Sequence, residues 1–506
     1  MPNPIWSLRD RPELATLDTD ICIVGSGPAG GVPAVELARA GLRVLVLEAG
    51  AATKPLPDTT VHEMDLTGTA DIAFGRALQF GGSSNLWAGR VAPLDAVDFA
   101  ERRWVDGSWP IPYEALAPYY TRAFEMMGVS LGKWQPSKGL EGLAYKPFVW
   151  SEPPFRIGTL LKEVAETYAN LHVCTDAPVT RIHADEAGKV TKLDIAHPAG
   201  HTLTVNARIF ILASGGLEVP RLMLSSRNGA TGIGGRLLGR YFSTHPKADI
   251  ATLTLARAVS THDALFSDTR VQGQLMRIGM ALSAQDQESI KGLNHYVQLS
   301  PFLEYRASKL FEAARQKGVS RNSLATGNPT ARRILESIGL KAFNTLGRLG
   351  KLEPRARSFV LRGFFDQFPD PDNRITICAE RDRLGMPKIH ITWHFREPDK
   401  ASVVGFMQRL DELLKAQSIG AVNYRNLAEA SDWGLTGIHS HFMGTTRMGH
   451  SATNGVVDSD NRVFGTPNLY VSGPSVFPTY GNANPFLTIA ALGMRLADHL
   501  ILTRPR

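Results

Sequence analysis

"DICIVGSGPAGGVPAVELARAGLRVLVLEAG", Asp20 to Gly50, decides the fold. Ile21 to Val24 is a short apolar run of the kind a strand buried on both faces requires. Gly25, Gly27 and Gly30 follow as G-x-G-x-x-G, then a helical stretch, then a second apolar strand, Arg43 to Leu47, ending at Glu48. Each glycine is there for a physical reason. Gly25 makes the tight turn, Gly27 lets backbone approach a pyrophosphate, and Gly30 lets helix and strand pack closely. The pyrophosphate sits on the helix N-terminus, where unpaired N–H groups and the helix dipole favour negative charge. Glu48 can accept from a ribose diol, and its charge repels a 2′-phosphate, which argues against NADP. Strand, glycines, helix, strand and acid in this order make a dinucleotide site the expected reading. Pro28 suits the first helical turn. Pro33 falls inside the helix, where a proline costs about 3 kcal/mol, so a local irregularity is expected there.

Working outward, the chain has 506 residues, of which 43% are apolar and 20% charged. That is ordinary for a globular protein with room for two or three domains. The three cysteines, Cys22, Cys174 and Cys378, are widely spaced and odd in number, which indicates neither a disulfide framework nor a metal site. The opening "MPNPIWSLRDRPELATLDTD" lacks a basic start followed by an apolar run, and no run of about 18 apolar residues occurs. A cytoplasmic location without a membrane span is therefore expected. The net charge is +7, and residues 301–362 hold 13 Lys or Arg against 4 Asp or Glu. Apolar residues recur there at helical spacing ("ARRILESIGLKAFNTLGRLG"), so the segment reads as a basic helical insertion with a solvated face. Nothing in the pattern indicates a nucleic-acid partner or a metal.

The glycine loop alone does not separate FAD from NAD. Four further stretches bear on it: "FGRALQFGGSSNLWAGR" (Phe74 to Arg90), "ARIFILASGGLEVPRLML" (Ala207 to Leu224), "HFMGTTRMGH" (His441 to His450) and "SGPSVFPTYGNANPFLTIAALGMRLADHL" (Ser472 to Leu500). Ala213 to Gly216 closes a strand and opens a helix close to the glycine loop. Asn468 to Ser472 reads as a strand, and a long helix begins near Pro485, a further N-terminus aimed at something polar.

Together these segments resemble the glucose–methanol–choline (GMC) oxidoreductase family, in look nearest its bacterial pyranose-oxidase-like and glycoside 3-oxidase members. The resemblance is scattered from about Asp20 to Leu500. It implies an α/β fold: a Rossmann-like FAD-binding domain, discontinuous in sequence (1–95, 155–245 and 442–506), and a substrate domain (96–154 and 246–441) built on an antiparallel sheet with added helices. It implies FAD, with Gly25, Ser26, Gly27 and Gly30 at the pyrophosphate, Glu48 and neighbouring Ala49 at the ribose, and Val179 at adenine through its backbone. Gly82, Ser83 and Asn85 would line the isoalloxazine, near Ala213, Gly473, Asn484 and Pro485. Some pyranose oxidases attach flavin through a histidine in this loop; Leu86 stands there, so non-covalent FAD is expected.

The same resemblance places His441, with Gly444 and Thr445 at +3 and +4, opposite flavin N5, and Asn484 as its partner. The chemistry suits the pair. An imidazole with a reference pKa of about 6.5 takes a hydroxyl proton near neutral pH. An amide can hold the substrate oxygen and stabilise developing negative charge. Asn484 could equally cap the last helix. His439 lies two residues before His441 and is a substrate-contact candidate, with Gln367 and Asp370 in "RSFVLRGFFDQFPDPDNRITI" (Arg357 to Ile377), which reads as a strand. His245 reads as structural, Arg447 as a brace of its turn, and Trp393 as lining either pocket or core. The implied reaction is oxidation of a secondary alcohol of a sugar or glycoside, with oxygen or a quinone-like group as acceptor. An aminosugar, polyol or aromatic alcohol substrate, or a lyase on the same fold, are the alternatives.

Overall fold

The computed structural model describes residues 4–53, 64–68, 76–131, 134, 140–226, 233–302, 355–424, 427, 433–436 and 440–503. The basic segment is therefore described only at its ends. His439 lies outside the described residues, as does most of 301–362.

The glycine motif sits where its apolar strands demand. Thr16–Val24 and Val44–Leu47 pair in parallel, Ile21 against Val44, and helix Pro28–Arg39 crosses over between them. All four residues of Val44–Leu47 are buried, as a parallel strand covered on both faces requires. The sheet runs Ile5–Ser7, Leu171–Thr175, Val44–Leu47, Thr16–Val24, Thr202–Leu212, Val190–Ala196, Val179–Ala184, with Leu469–Val471 also on Thr202–Leu212. The strands from Ile5–Ser7 through Thr202–Leu212 pair in parallel, and so does Leu469–Val471. Val190–Ala196 and Val179–Ala184 join antiparallel at the edge.

A second, antiparallel sheet runs Gly420–Asn423, Lys247–Ser260, Arg355–Phe364, Tyr296–Pro301, Gln274–Leu282, Leu143–Trp150, Arg90–Val91. Helix Glu397–Ala416 packs Val403, Phe406, Met407 and Leu410 onto Leu253, Val297, Phe359 and Leu361 of that sheet. A third sheet joins Arg374–Arg381, Pro387–Trp393 and Met64–Gly68. Two short strands inside the stretch 1–95, Met64–Gly68 and Arg90–Val91, thus pair with Pro387–Trp393 and Leu143–Trp150, outside the parallel sheet.

The structure corrects two expectations. Arg357 to Ile377 is not one strand. It ends at Phe364 in the antiparallel sheet and resumes at Arg374 in the three-stranded one. Pro369 and Pro371 lie in the gap, and prolines lack the N–H that a central ladder needs. Pro33 does not interrupt its helix, which is continuous from Pro28 to Arg39. Its ring is seated on the final helix, Phe486–Thr503, where a Cβ at Gly493 would lie 3.1 Å from Pro33 Cδ.

That final helix has the length and hydropathy of a membrane span, and 67% of it is buried inside the fold. Arg122 anchors it, reaching Asp498 at 2.7 Å and Glu36 of the first helix at 2.5 Å.

Candidate active site

The nucleotide end of the site is built from backbone. Gly25 adopts φ +106°, and a Cβ there would lie 2.7 Å from the Ala213 carbonyl oxygen. A Cβ on Gly30 would lie 1.9 Å from the Gly25 oxygen, so helix and strand touch through that glycine. Gly27 is the N-cap residue of the helix, without a side-chain cap. A Cβ on it would face open space, with only Gly82 Cα nearby at 3.8 Å. This is a cradle for a group that approaches backbone closely.

Ser26 stitches three segments together. Its N–H and hydroxyl donate to Glu48 Oε2 (3.0 and 2.6 Å), while its Oγ accepts from the Gly81 N–H (3.0 Å). Gly50 N–H donates to Glu48 Oε1 (2.8 Å). Burial raises the Glu48 carboxyl above its usual range, opposed by these hydrogen bonds. Ser214 and Ser472 follow the strands Thr202–Leu212 and Leu469–Val471, and their buried Oγ atoms have no hydrogen-bond partner among the described residues. Orphaned hydroxyls at the carboxyl edge of a parallel sheet, beside an open glycine cradle, fit a bound dinucleotide.

The expected ring-side loop is a short 3₁₀ turn, Gly82–Asn85. It packs on the glycine loop so tightly that a Cβ at Gly82 would lie 2.8 Å from Gly27 Cα. Asn85 spends its amide donors on its own loop, to the Phe80 and Gly82 carbonyls (2.9 and 3.0 Å). Arg156 holds the Ser84 and Trp87 carbonyls. Ser83 is exposed, and Leu86 is 58% exposed, a large apolar side chain left uncovered by protein. Trp87 stacks on Phe486, the first residue of the last helix, at 4.0 Å and 7°. Ala49 is between Glu48 and Gly50, and Val179 opens its strand opposite Ile195. Gly473 takes φ +125°, and a Cβ there would lie 3.2 Å from Ala29 Cβ of the first helix.

The segment after His441 is fastened along the loop that follows Leu469–Val471. Gly444, Thr446 and Met448 donate backbone N–H groups to Pro474, Ser475 and Val476 carbonyls (3.2, 2.8 and 2.7 Å). Thr445 Oγ1 donates to the Gly216 carbonyl (2.9 Å) at the start of helix Gly215–Ser225. Only glycine fits at 444: φ is +85°, and a Cβ would lie 2.1 Å from the Tyr241 oxygen. Arg447 braces the turn as expected, donating to the Asn454 carbonyl and lying 3.6 Å over the Tyr241 ring.

His441 is itself strained into the left-handed region, φ +65°. Two residues on, Met443 pairs antiparallel with Ser243 through N–H···O bonds of 3.0 and 3.1 Å. Continuing that register sets His245 opposite His441, and the two rings meet: Nδ1 to Nδ1 is 3.1 Å. His245 Nε2 lies 3.3 Å from the Tyr480 carbonyl, in the loop that leads to Asn484. Burial lowers the His245 pKa to about 4, so the ring is neutral. Asn484 donates its amide to the Arg90 carbonyl (3.2 Å), and Pro485 begins the last helix by accepting from Ile489 N–H (2.8 Å). The structure thus links His441 to the Tyr480–Asn484 loop through a residue read as structural. No sequence spacing points to His245; only the pairing of Ser243 with Met443 exposes it.

Behind this loop lies a buried polar interior. Asn482 donates to the Asn294 carbonyl (2.7 Å), Asn294 to Asp95 and Asp98 (2.9 and 3.0 Å), and Lys146 pairs with Asp95 (2.7 Å). Among the described residues, neither Asp366 Oδ2 nor the three guanidinium nitrogens of buried Arg102 have a hydrogen-bond partner. Burial raises the Asp98 and Asp366 carboxyls and lowers His295 to about 3.

Of two substrate-contact candidates, Gln367 is corrected, and Asp370 is already engaged by protein partners. Gln367 is 1% exposed, and its amide is consumed internally: Nε2 to the His394 carbonyl (2.7 Å), Oε1 from Trp393 Nε1 (2.9 Å) and Ser243 Oγ (3.1 Å). Trp393 is therefore core. Asp370 is held by Arg396 at 2.6 Å and closes its own turn on Asp372 N–H (2.8 Å). Both lie in the proline-broken connector, where the chain needs side chains to satisfy backbone that no ladder serves.

Comparison with known proteins agrees with this architecture. Residues 369–493 match the family described as GMC oxidoreductase, and residues 18–65 match an FAD binding domain. The chain is 24% identical to 2-methyl-1,2-propanediol dehydrogenase of Mycolicibacterium austroafricanum, over 95% of each chain. It is 24% identical to paromamine 6'-oxidase of Streptomyces fradiae, over 97% of this chain and 92% of the relative. The fold is that of pyridoxine 4-oxidase from Mesorbium loti, with TM-score 0.56, 17% identity, 96% of this chain and all of that one. Its glycine cradle, its two matched segments and its fold together make the chain an FAD-dependent oxidoreductase of alcohols that is similar to the GMC oxidoreductases.

Proposed function

We propose that this enzyme oxidises a secondary alcohol of a sugar or glycoside, with His441 as the base. The observation that carries the reading is the strained His441, set against neutral His245 on the segment bonded to Pro474–Val476 at the carboxyl edge of the nucleotide sheet. His441 takes the hydroxyl proton of the substrate. Asn484 orients the substrate oxygen and stabilises the charge that develops on it. FAD, when bound, supplies the acceptor for the carbinol hydride. Gly25, Ser26, Gly27, Gly30 and Glu48 would hold its adenosine pyrophosphate half, and Gly82–Leu86 its ring side. Leu86 offers no nucleophile, in keeping with FAD held non-covalently. Residues 1–95, 155–245 and 442–506 would form the FAD domain, apart from the two short strands paired elsewhere, and 96–154 with 246–441 the substrate domain. Three widely spaced cysteines, with Cys22 and Cys174 buried, suit a cytoplasmic enzyme.

The relatives support the substrate class: paromamine 6'-oxidase, and C-glycoside 3-oxidase of Microbacterium trichothecenolyticum, 25% identical over 70% of this chain. The paromamine 6'-oxidase likeness, which spans nearly all of the chain, favours aminosugars as the second reading. The test is anaerobic mixing of FAD-loaded enzyme with glycosides, aminosugars, diols and aromatic alcohols, following the oxidised-flavin absorbance. Bleaching by a glycoside supports the first reading, and bleaching by an aminosugar alone supports the second. Persistent colour with cleavage of the substrate overturns both in favour of a lyase.

A further inference from the structure

We propose that His245 is a positioning residue that holds the proton of His441 on Nδ1, making His441 Nε2 the atom that receives the substrate proton. The inference deepens the reading of His441 as the base and rests on it. A carbonyl oxygen only accepts, so the 3.3 Å contact between His245 Nε2 and the Tyr480 oxygen requires the His245 proton on Nε2. His245 is 6% exposed and neutral, and a neutral imidazole carries one N–H. Its Nδ1 is therefore a lone pair. The 3.1 Å contact between the two Nδ1 atoms needs one proton, and only His441 can provide it. The His441 ring is then an Nδ1–H donor whose basic atom is Nε2.

The electrostatics favour the same arrangement. Among the described residues, the charge felt by His245 is the ammonium of Lys146, buried on strand Leu143–Trp150 and paired with Asp95; the other groups against it are His441 and the Tyr480–Gly481 backbone. Lys146 and burial both oppose a proton on His245. When His441 takes the substrate proton at Nε2, its Nδ1–H becomes a charge-assisted donor to a neutral acceptor, which stabilises the imidazolium. The line ends at the Tyr480 carbonyl, which accepts no proton, so the proton stays on His441 until solvent or the next step removes it.

Two substitutions separate positioning from scaffolding. His245→Asn sets an acceptor oxygen near the Nδ1 position and abandons Tyr480. His245→Gln reaches Tyr480 and abandons His441. The expected result in anaerobic stopped-flow is that His245→Gln slows flavin reduction about 10- to 100-fold, the usual scale for losing a partner that orients a histidine. Its acid limb moves to lower pH, because the imidazolium is less stabilised, while His245→Asn keeps most of the rate. Equal losses in both variants, or rescue by Gln alone, with the acid limb unmoved, would make His245 a scaffold and overturn the proposal. Should the variants not fold, ¹⁵N-histidine spectra of the wild-type holoenzyme decide it, with the His441 signal assigned by its absence in His441→Ala. An Nδ1-protonated pattern supports the assignment and an Nε2-protonated one refutes it. Full turnover by His441→Ala would instead sink the underlying reading of the base.

Discussion

The glycine cradle and the histidine pair lie at the same edge of one sheet, yet they are built in opposite ways. The cradle is backbone: Gly25, Gly27, Gly30 and Glu48 fall within 24 consecutive residues, and their shape follows from local rules of turn, helix start and strand. The histidine pair is side chain. His245 and His441 come from segments 196 residues apart, and Asp98, Arg102, Lys146, Asn294 and Asp366 are buried behind the Tyr480–Asn484 loop. The first region binds by excluding bulk. The second, on the proposed reading, would work by keeping polar groups buried and their protons in place, which demands low dielectric and well-aligned partners. On that reading, binding is therefore robust to its surroundings where catalysis is not.

Four changes break or sharpen that contrast. His441→Ala should cost about 10²- to 10⁴-fold in the rate of flavin reduction, the range for losing a general base, with FAD content unchanged. Bound flavin would be counted by absorbance in the same sample. Asn484→Ala should cost about 10²- to 10³-fold in that rate if its amide acts on the developing oxyanion; a loss of melting temperature with the rate intact would reduce it to a brace of Arg90. Gly30→Ala inverts the pattern. Its Cβ would collide with the Gly25 carbonyl, an overpacking of about 1–3 kcal/mol that should appear as weaker FAD retention on a desalting column, with the rate per bound flavin preserved.

The smallest effect is on pH. The folded pKa of His295 is lowered to about 3, while the unfolded chain titrates near 6.5. Below pH 6.5 the unfolded state binds the extra proton, so this residue removes stability as pH falls toward 3. Between pH 6.5 and 5 that is about 2 kcal/mol. His295→Gln should flatten the fall in melting temperature over that window, and an unchanged slope would show that the interior is more hydrated than its burial implies.

The same contrast explains what could be read in advance. The parallel sheet, the dinucleotide cradle and the last helix were legible because each depends on neighbours in sequence. The placing of the segment after His441 beside the loop at Pro474–Val476 was legible through Gly444 and Thr445. Gln367 was misplaced because two prolines end the strand that was to carry it toward a substrate. His245 was missed because its meaning depends on a cross-strand register set by Ser243 and Met443. Pro33 reads as a fault in the helix because the partner that accommodates it, Gly493, is 460 residues away.

That contact between Pro33 and Gly493 has a mechanical consequence. The first helix begins at Pro28, directly after Gly27, and the last at Phe486, directly after Asn484 and Pro485. Because a ring on one seats in the bare backbone of the other, neither helix can slide along its partner, and the spacing between their two starting points is clamped from the rear. A methyl group at 493 would act as a shim, altering the gap between cofactor cradle and Asn484 without touching either.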